Sequence, residues 1–342
     1  MDILKHLSEM SGVPGREERV RAFIETQLEG HVDETHTDAL GNLIAVKKSK
    51  HEDAKDVMVV AHMDEIGFIV KYIDDKGFLR LQNLGGFDMR NLFARQVTVF
   101  ASSGDEFIGV LNPATKPVHI ASPEERKRVP EMQDFMVDLA LPAETVKEKV
   151  RIGDMVTLRQ EFFDLGEVVT GKSLDDRANC WVLLELLKRL DAPTANVHAV
   201  FSVQEEVGLR GATTSAFAIT PDIGIALDTT LAVDTPGSPS DQSITEMGKG
   251  VALKVMDRAS ISTRWLLDEF IDLAEANEVS YQLEVLPLGG TDAGAMQRSR
   301  AGVPSITLSI PSRYVHTVTE MVAKSDLEAS VTLLVHYLSK SA

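Results

Sequence analysis

Apolar residues along this chain follow three patterns, and each predicts a different element. The first is the short run without polar alternation: Val57-Met58-Val59-Val60-Ala61, Val197-His198-Ala199-Val200-Phe201-Ser202-Val203, Ile223-Gly224-Ile225-Ala226-Leu227 and Ser305-Ile306-Thr307-Leu308-Ser309-Ile310. Such runs read as strands buried on both faces, the signature of a parallel sheet. The second is helical spacing. Residues 2–10 form a short helix ended by Ser11-Gly12-Val13-Pro14-Gly15, and Val20, Phe23, Ile24 and Leu28 mark one face of the next. Ala178, Val182, Leu183, Leu186, Leu187 and Leu190 mark a buried helix, with further helices over 264–276 and 325–339. The third is a set of short β-type segments, Phe68–Ile73, Phe78–Leu84, Gln96–Ala101, Glu106–Leu111 and Met155–Arg159. Asp74-Asp75-Lys76-Gly77 and Ser102-Ser103-Gly104-Asp105 separate some of them as hairpin turns. Residues 114–135 read as polar and irregular, and Ala143–Val150 as a short helix.

The order of these patterns predicts an α/β protein interrupted by an all-β module. A mixed, largely parallel sheet flanked by helices is assembled from residues 1–67 and 166–342, and residues 68–165 form an inserted, barrel-like domain. The four unalternating runs each deliver a histidine or carboxylate just past the C-terminal end. These are His62, Asp64 and Glu65; Glu205 and Glu206; Asp228; and, beyond Pro311-Ser312-Arg313-Tyr314-Val315, His316. Open parallel sheets bind ligands at that edge.

Composition narrows the chemistry. The chain has 342 residues, 44% of them hydrophobic, and a formal net charge of -17. No basic excess exists to neutralise a phosphate backbone, which argues against a nucleic-acid partner. Carboxylate-rich sites for divalent cations suit this balance. A single cysteine, Cys180, excludes an internal disulfide framework and fits a reducing compartment. No apolar run approaches the ~20 residues of a spanning helix, and no signal-peptide pattern follows Met1. The expectation is a cytoplasmic protein without membrane contact.

His62, Asp175, Glu206, Asp228 and His316 are the residue types a two-metal site requires. Imidazole with carboxylate suits zinc, cobalt or manganese. A carboxylate can touch two ions at once, whereas an imidazole cannot. Asp64 lies two residues after His62, on the same face of an extended chain, and can orient the ring. In Glu205-Glu206 adjacent side chains point apart, so one can bind metal while the other moves a proton between water and a leaving amine. The bland readings are a solvated acidic turn for Glu205-Glu206 and a helix cap for Asp175-Asp176. Coincidence across four strand ends favours the site. A Gly-x-Ser-x-Gly elbow is absent, and His51-Glu52 lacks the second histidine of His-Glu-x-x-His. Cys180 falls on an apolar helix face and reads as core.

Ala61-His62-Met63-Asp64-Glu65-Ile66-Gly67, Ser173-Leu174-Asp175-Asp176-Arg177, Gln204-Glu205-Glu206-Val207-Gly208, Leu227-Asp228 and Arg313-Tyr314-Val315-His316 occur in that order. With them the whole chain resembles the tetrahedral (TET) aminopeptidases. That family of dinuclear metallopeptidases includes glutamyl aminopeptidases and some proteins labelled endoglucanases. The resemblance implies two divalent metal ions per subunit, bridged by Asp175. Glu206 and His316 would complete one position, and His62 and Asp228 the other. It further implies Glu205 as general base acting on a water between the ions, Asp64 as the orienting residue, and the inserted module as a dimerisation domain. Self-association to dimers, and from dimers to a tetrahedral dodecamer, is the implied assembly, and peptides are the implied substrates. Asn179 stands where the family often has a small residue. The glycine-rich loop Gly290-Thr291-Asp292 is a candidate substrate-binding segment. Two rivals are a dinuclear amidohydrolase deacylating N-acyl amino acids and a glycosidase working with two carboxylates and no metal. The sequence does not select the preferred N-terminal residue or the metal.

Overall fold

In the computed structural model, which describes residues 1–339, the four unalternating runs lie side by side at the centre of an 11-stranded sheet. Asn196–Ser202, Asp56–His62, Ile223–Leu231 and Ser305–Arg313 are neighbours in that order, all parallel. Antiparallel strands extend both flanks. Leu43–Lys47 and Glu34–Thr37 continue beyond Asn196–Ser202, and Glu320–Ala323, Val168–Gly171 and Phe163–Asp164 continue beyond Ser305–Arg313. Val251–Met256 pairs with Ser305–Arg313 and carries Tyr281–Val285 at its outer edge. The sheet is therefore mixed, with a parallel centre.

The runs do not alternate because both faces of the sheet are covered. Val57, Val59 and Ala61 pack with helices Asp2–Glu9, Glu18–Leu28, Leu174–Arg189, Arg264–Ala276 and Lys324–Ser339. Met58 and Val60, one residue out of phase, pack with Arg210–Ile219 and Asp292–Gln297 on the other face. Burying one such side chain contributes about 1.5–3 kcal/mol. A polar residue at any of these positions would lose that and leave an unpaired group in the interior.

The β-type segments close on themselves. Gly67–Ile73, Leu79–Leu84, Phe135–Asp138, Glu106–Pro113, Arg95–Phe100 and Met155–Leu158 form a closed antiparallel barrel in that order. Its first hairpin turns as Asp74-Asp75-Lys76-Gly77 suggests: the Asp74 carboxylate accepts from Lys76 N and Phe78 N, and Gly77 has φ +87°. The chain leaves the barrel after Leu158 and rejoins the large sheet at Phe163–Asp164. One strand, Phe135–Asp138, lies at the edge of the segment that reads as irregular. Only Phe135 and Val137 point inward, and two positions are too few to register as an alternation.

The barrel has its own core, built on Phe68, Val70, Val97, Leu111, Phe135 and Val156. It also takes in Val318, which belongs to the loop just past His316 and is only 2% exposed. Gly67 lies where the barrel meets the N-terminal segment: a β-carbon there would come within 2.4 Å of Val13.

Candidate metal centre

The parallel register sets the first donors. Ser202 pairs with His62, so the ends of two central strands are level. The His62 Nδ1 lies 3.0 Å from the backbone carbonyl of Asp64, which leaves Nε2 facing Asp175 Oδ1 at 3.2 Å. Asp175 opens helix Leu174–Arg189 with non-helical angles, φ -80° and ψ 102°. Its second oxygen, Oδ2, is 3.4 Å from His316 Nε2, and His316 Nε2 is 3.2 Å from Glu206 Oε1. Glu205 Oε2 lies 4.0 Å from His62 Nε2. Side-chain donors thus cluster as His62, Asp175, Asp176 and Asp228; as His62, Glu205 and Glu206; and as Asp175, Glu206 and His316.

These spacings fit divalent ions. Two donors about 2.1 Å from one ion at a tetrahedral angle lie about 3.4 Å apart. Charge points the same way. Burial, together with neighbouring acids, pushes the carboxyls of Glu205, Asp176 and Asp228 well above their ordinary range. Burial opposes charging His316, but Glu206 and Asp175 outweigh it and push the ring up to about 12. Burial likewise disfavours the charged Asp175, yet His316 and His62 hold it well below its usual value. Five crowded acids facing two imidazoles are an electrostatic deficit that divalent cations would fill.

The backbone is bent to bring the donors in. Ser173, Gln204, Tyr314 and His316, none of them glycine, have φ of 57°, 57°, 61° and 62°. Each such residue costs on the order of 1–3 kcal/mol, and their clustering beside the donors marks a site that its surroundings hold in place. The barrel reaches this site as well. A β-carbon on Gly85 would lie 3.0 Å from Glu206 Oε2, and one on Gly86 3.4 Å from His316 Nδ1.

Asp64 lies against the His62 ring and also reaches the neighbouring strand end. Its carboxylate oxygen is 3.6 Å from His62 Nδ1, while its own carbonyl takes the ring's hydrogen-bonding position. The carboxylate also accepts from Glu205 N at 3.0 Å and Glu206 N at 3.1 Å. Asp176 accepts from His62 N at 3.1 Å and from Asn179 Nδ2 at 2.6 Å. The Asn179 amide therefore orients Asp176.

The glycine-rich loop divides. Gly290 and Gly294 pack against Ala259, whose β-carbon a side chain at either position would approach within 2.8 Å. Thr291 is buried, its hydroxyl 2.8 Å from that of Thr307. Asp292 is buried with Oδ2 accepting from Ser202 Oγ at 2.7 Å and Oδ1 without a partner. Sequence reasoning passed over Glu17, whose Oε1 accepts from Gln204 N at 3.1 Å, and Glu320, which touches two donor residues through their backbone. Asp176 had the adjacent acid as a signal, whereas Glu320 stands alone in Thr319-Glu320-Met321 and had none.

A family model described as M42 glutamyl aminopeptidase matches residues 41–333. A putative aminopeptidase of Acetivibrio thermocellus is 40% identical, covering 98% of this chain and 97% of its own. Among solved structures, the TET aminopeptidase of a marine sediment archaeon of the Thaumarchaeota superposes with a TM-score of 0.95. It is 33% identical and is matched over 99% of this chain and 96% of its own. The TET1 peptidase of Pyrococcus horikoshii, which can assemble into a tetrahedron or a large octahedral shell, gives 0.88 at 31% identity over 99% of both chains.

Proposed function

The chain belongs to the M42 glutamyl aminopeptidase family and is a metal-dependent peptide hydrolase, and on that premise we propose which of its residues do the work. Asp175 bridges two divalent ions, with Glu206 and His316 on one and His62 and Asp228 on the other. The observation that carries this reading is the placement of the two Asp175 oxygens, one toward each histidine, at 3.2 and 3.4 Å. Ions bound there supply Lewis acidity to the scissile carbonyl and make a water acidic.

Glu205 is the general base. Its carboxylate stands beside the donors, and its backbone amide is held by Asp64. It takes a proton from the attacking water and returns it to the leaving amine. Burial raises its proton affinity, which suits the second step, and nearby cations favour the ionised form needed for the first. Asp64 positions Glu205 and Glu206 through their amides. The segment Gly290-Thr291-Asp292 is our candidate for the substrate side of the site, because the Asp292 carboxylate accepts from Ser202 Oγ, at the strand end level with His62. Zinc, cobalt or manganese satisfies this donor set.

Residues 68–165 serve as the dimerisation domain. Outward positions of barrel strand Glu106–Pro113 carry Ile108 and Val110, where a solvated barrel would carry polar side chains, and Val118, Ile120 and Val129 are exposed nearby. A second copy covers this apolar surface, and dimers close into a tetrahedral dodecamer that admits peptides and excludes folded proteins. Among the described residues no helix is long and apolar enough to cross a membrane. The lone, buried Cys180 fits a reducing compartment, and on that ground we place the enzyme in the cytoplasm. A panel of aminoacyl-arylamides assayed with each metal, before and after chelation, tests the activity and ranks N-terminal residues. Hydrolysis that survives complete metal removal would sink the two-ion reading.

A further inference from the structure

The carboxylates around this site divide by what their oxygens touch. Some face the donor atoms, while others are taken up by backbone amides. Asp64 belongs to the second group, and so does Glu320. Glu320 lies on strand Glu320–Ala323, opposite Gly171, and is buried. Its Oε2 accepts from Asp175 N at 2.9 Å, and its Oε1 accepts from His316 N at 2.8 Å. Glu320 appears in none of the donor clusters.

Both amides need such an acceptor. Asp175 precedes the regular part of its helix, and His316 is in the left-handed region, so neither N–H is satisfied by a helix or a ladder. A buried N–H without an acceptor costs about 1–3 kcal/mol. One carboxylate satisfies both, and in doing so ties together residues 145 positions apart in sequence, Asp175 and Glu320, with His316 four residues before the latter. This fixes the separation of the Asp175 and His316 side chains, now 3.4 Å between Oδ2 and Nε2.

We propose that Glu320 is the positioning residue of the ion position formed by Asp175, Glu206 and His316, acting only through the backbone amides of Asp175 and His316. The proposal rests on the two-ion reading above. Glu320 holds two of the three donors in that cluster but only Asp175 in the other, so its loss weakens one ion more than its neighbour. Binding through the backbone also predicts that the amide isostere is imperfect. Glutamine offers one acceptor oxygen and places an NH2 against the second N–H.

Asp326 is a matched control. It is buried, and its two oxygens accept from Gly248 N at 2.7 Å and Gly250 N at 2.8 Å, the same kind of clamp away from the donor clusters. The test is calorimetric titration of metal-free protein with Co(II), read together with the visible spectrum of the cobalt-loaded protein. Wild type takes up two ions. Glu320→Ala weakens one of them by about 10–100-fold, as outer-shell substitutions do, and changes the spectrum. Glu320→Gln weakens the same ion less. Asp326→Ala lowers the melting temperature but leaves both affinities and the spectrum as in wild type. The proposal is overturned if folded Glu320→Ala keeps both affinities, or if Asp326→Ala reproduces its loss. Should Glu320→Ala not fold, Glu320→Gln with two wild-type affinities overturns it. Wild type that fails to bind a pair of ions would instead overturn the underlying two-ion reading.

Discussion

The large sheet and the barrel bury apolar residues in different ways, and their roles differ accordingly. The central strands are covered on both faces, so Val57 to Ala61 feed two cores at once. Among the described residues these strands leave one large apolar side chain exposed, Leu231 at 41%, and their polar ends meet at one edge. The barrel has a single interior. Its outward face retains Ile108 at 61% exposure, and the neighbouring segment retains Ile120 at 71%. The two-faced centre of the sheet thus gathers its polar strand ends at one edge, while the one-faced barrel leaves apolar side chains such as Ile108 on its outside. The division is incomplete, because Val318 plugs the barrel core from the loop that carries His316, and Gly85 and Gly86 lie against Glu206 and His316.

The sharpest contrast comes from the chemistry itself. Glu205→Gln is expected to lower turnover by about two to four orders of magnitude while metal content stays that of wild type. Turnover and atomic emission on one sample check this, and near-normal turnover would remove Glu205 from its role. Next in size is the difference between bridge and terminal ligand. Asp175→Ala should empty both ion positions and His62→Ala mainly one; equal loss of a single ion in both variants would refute the bridge.

A smaller effect probes the joint between the regions. Val318→Ala should cost about 2 kcal/mol and also weaken the ion beside His316 several-fold. Val97→Ala, in the same core but away from that loop, should cost a similar amount with metal affinity intact. If the two variants bind metal equally well, the barrel core does not steady His316. By the same reasoning, removing residues 68–165 is expected to give smaller species in sedimentation and to weaken the ion beside His316 as well. The smallest effect on the fold is expected from Ile108→Glu with Ile120→Glu. These should shift sedimentation to smaller species, change subunit stability by about 0.5 kcal/mol or less, and leave short-peptide hydrolysis in place. Unchanged sedimentation would show that this face is not the contact.

The sequence by itself determined the parallel centre of the sheet, the hairpins of the barrel and the candidate donors. Each is a local signal: a run that fails to alternate, a turn with aspartate and glycine, a polar residue at the end of an apolar run. Only the tertiary structure decided what holds those donors. The Asp64 carboxylate beside the His62 ring also takes up the amides of Glu205 and Glu206, Phe135–Asp138 closes the barrel, Val318 belongs to the barrel core, and Glu320 joins Asp175 to His316. Periodicity reports which side of an element faces the interior. It carries no information about hydrogen bonds to backbone amides or packing between segments more than a hundred residues apart, because those exist only once the chain has closed.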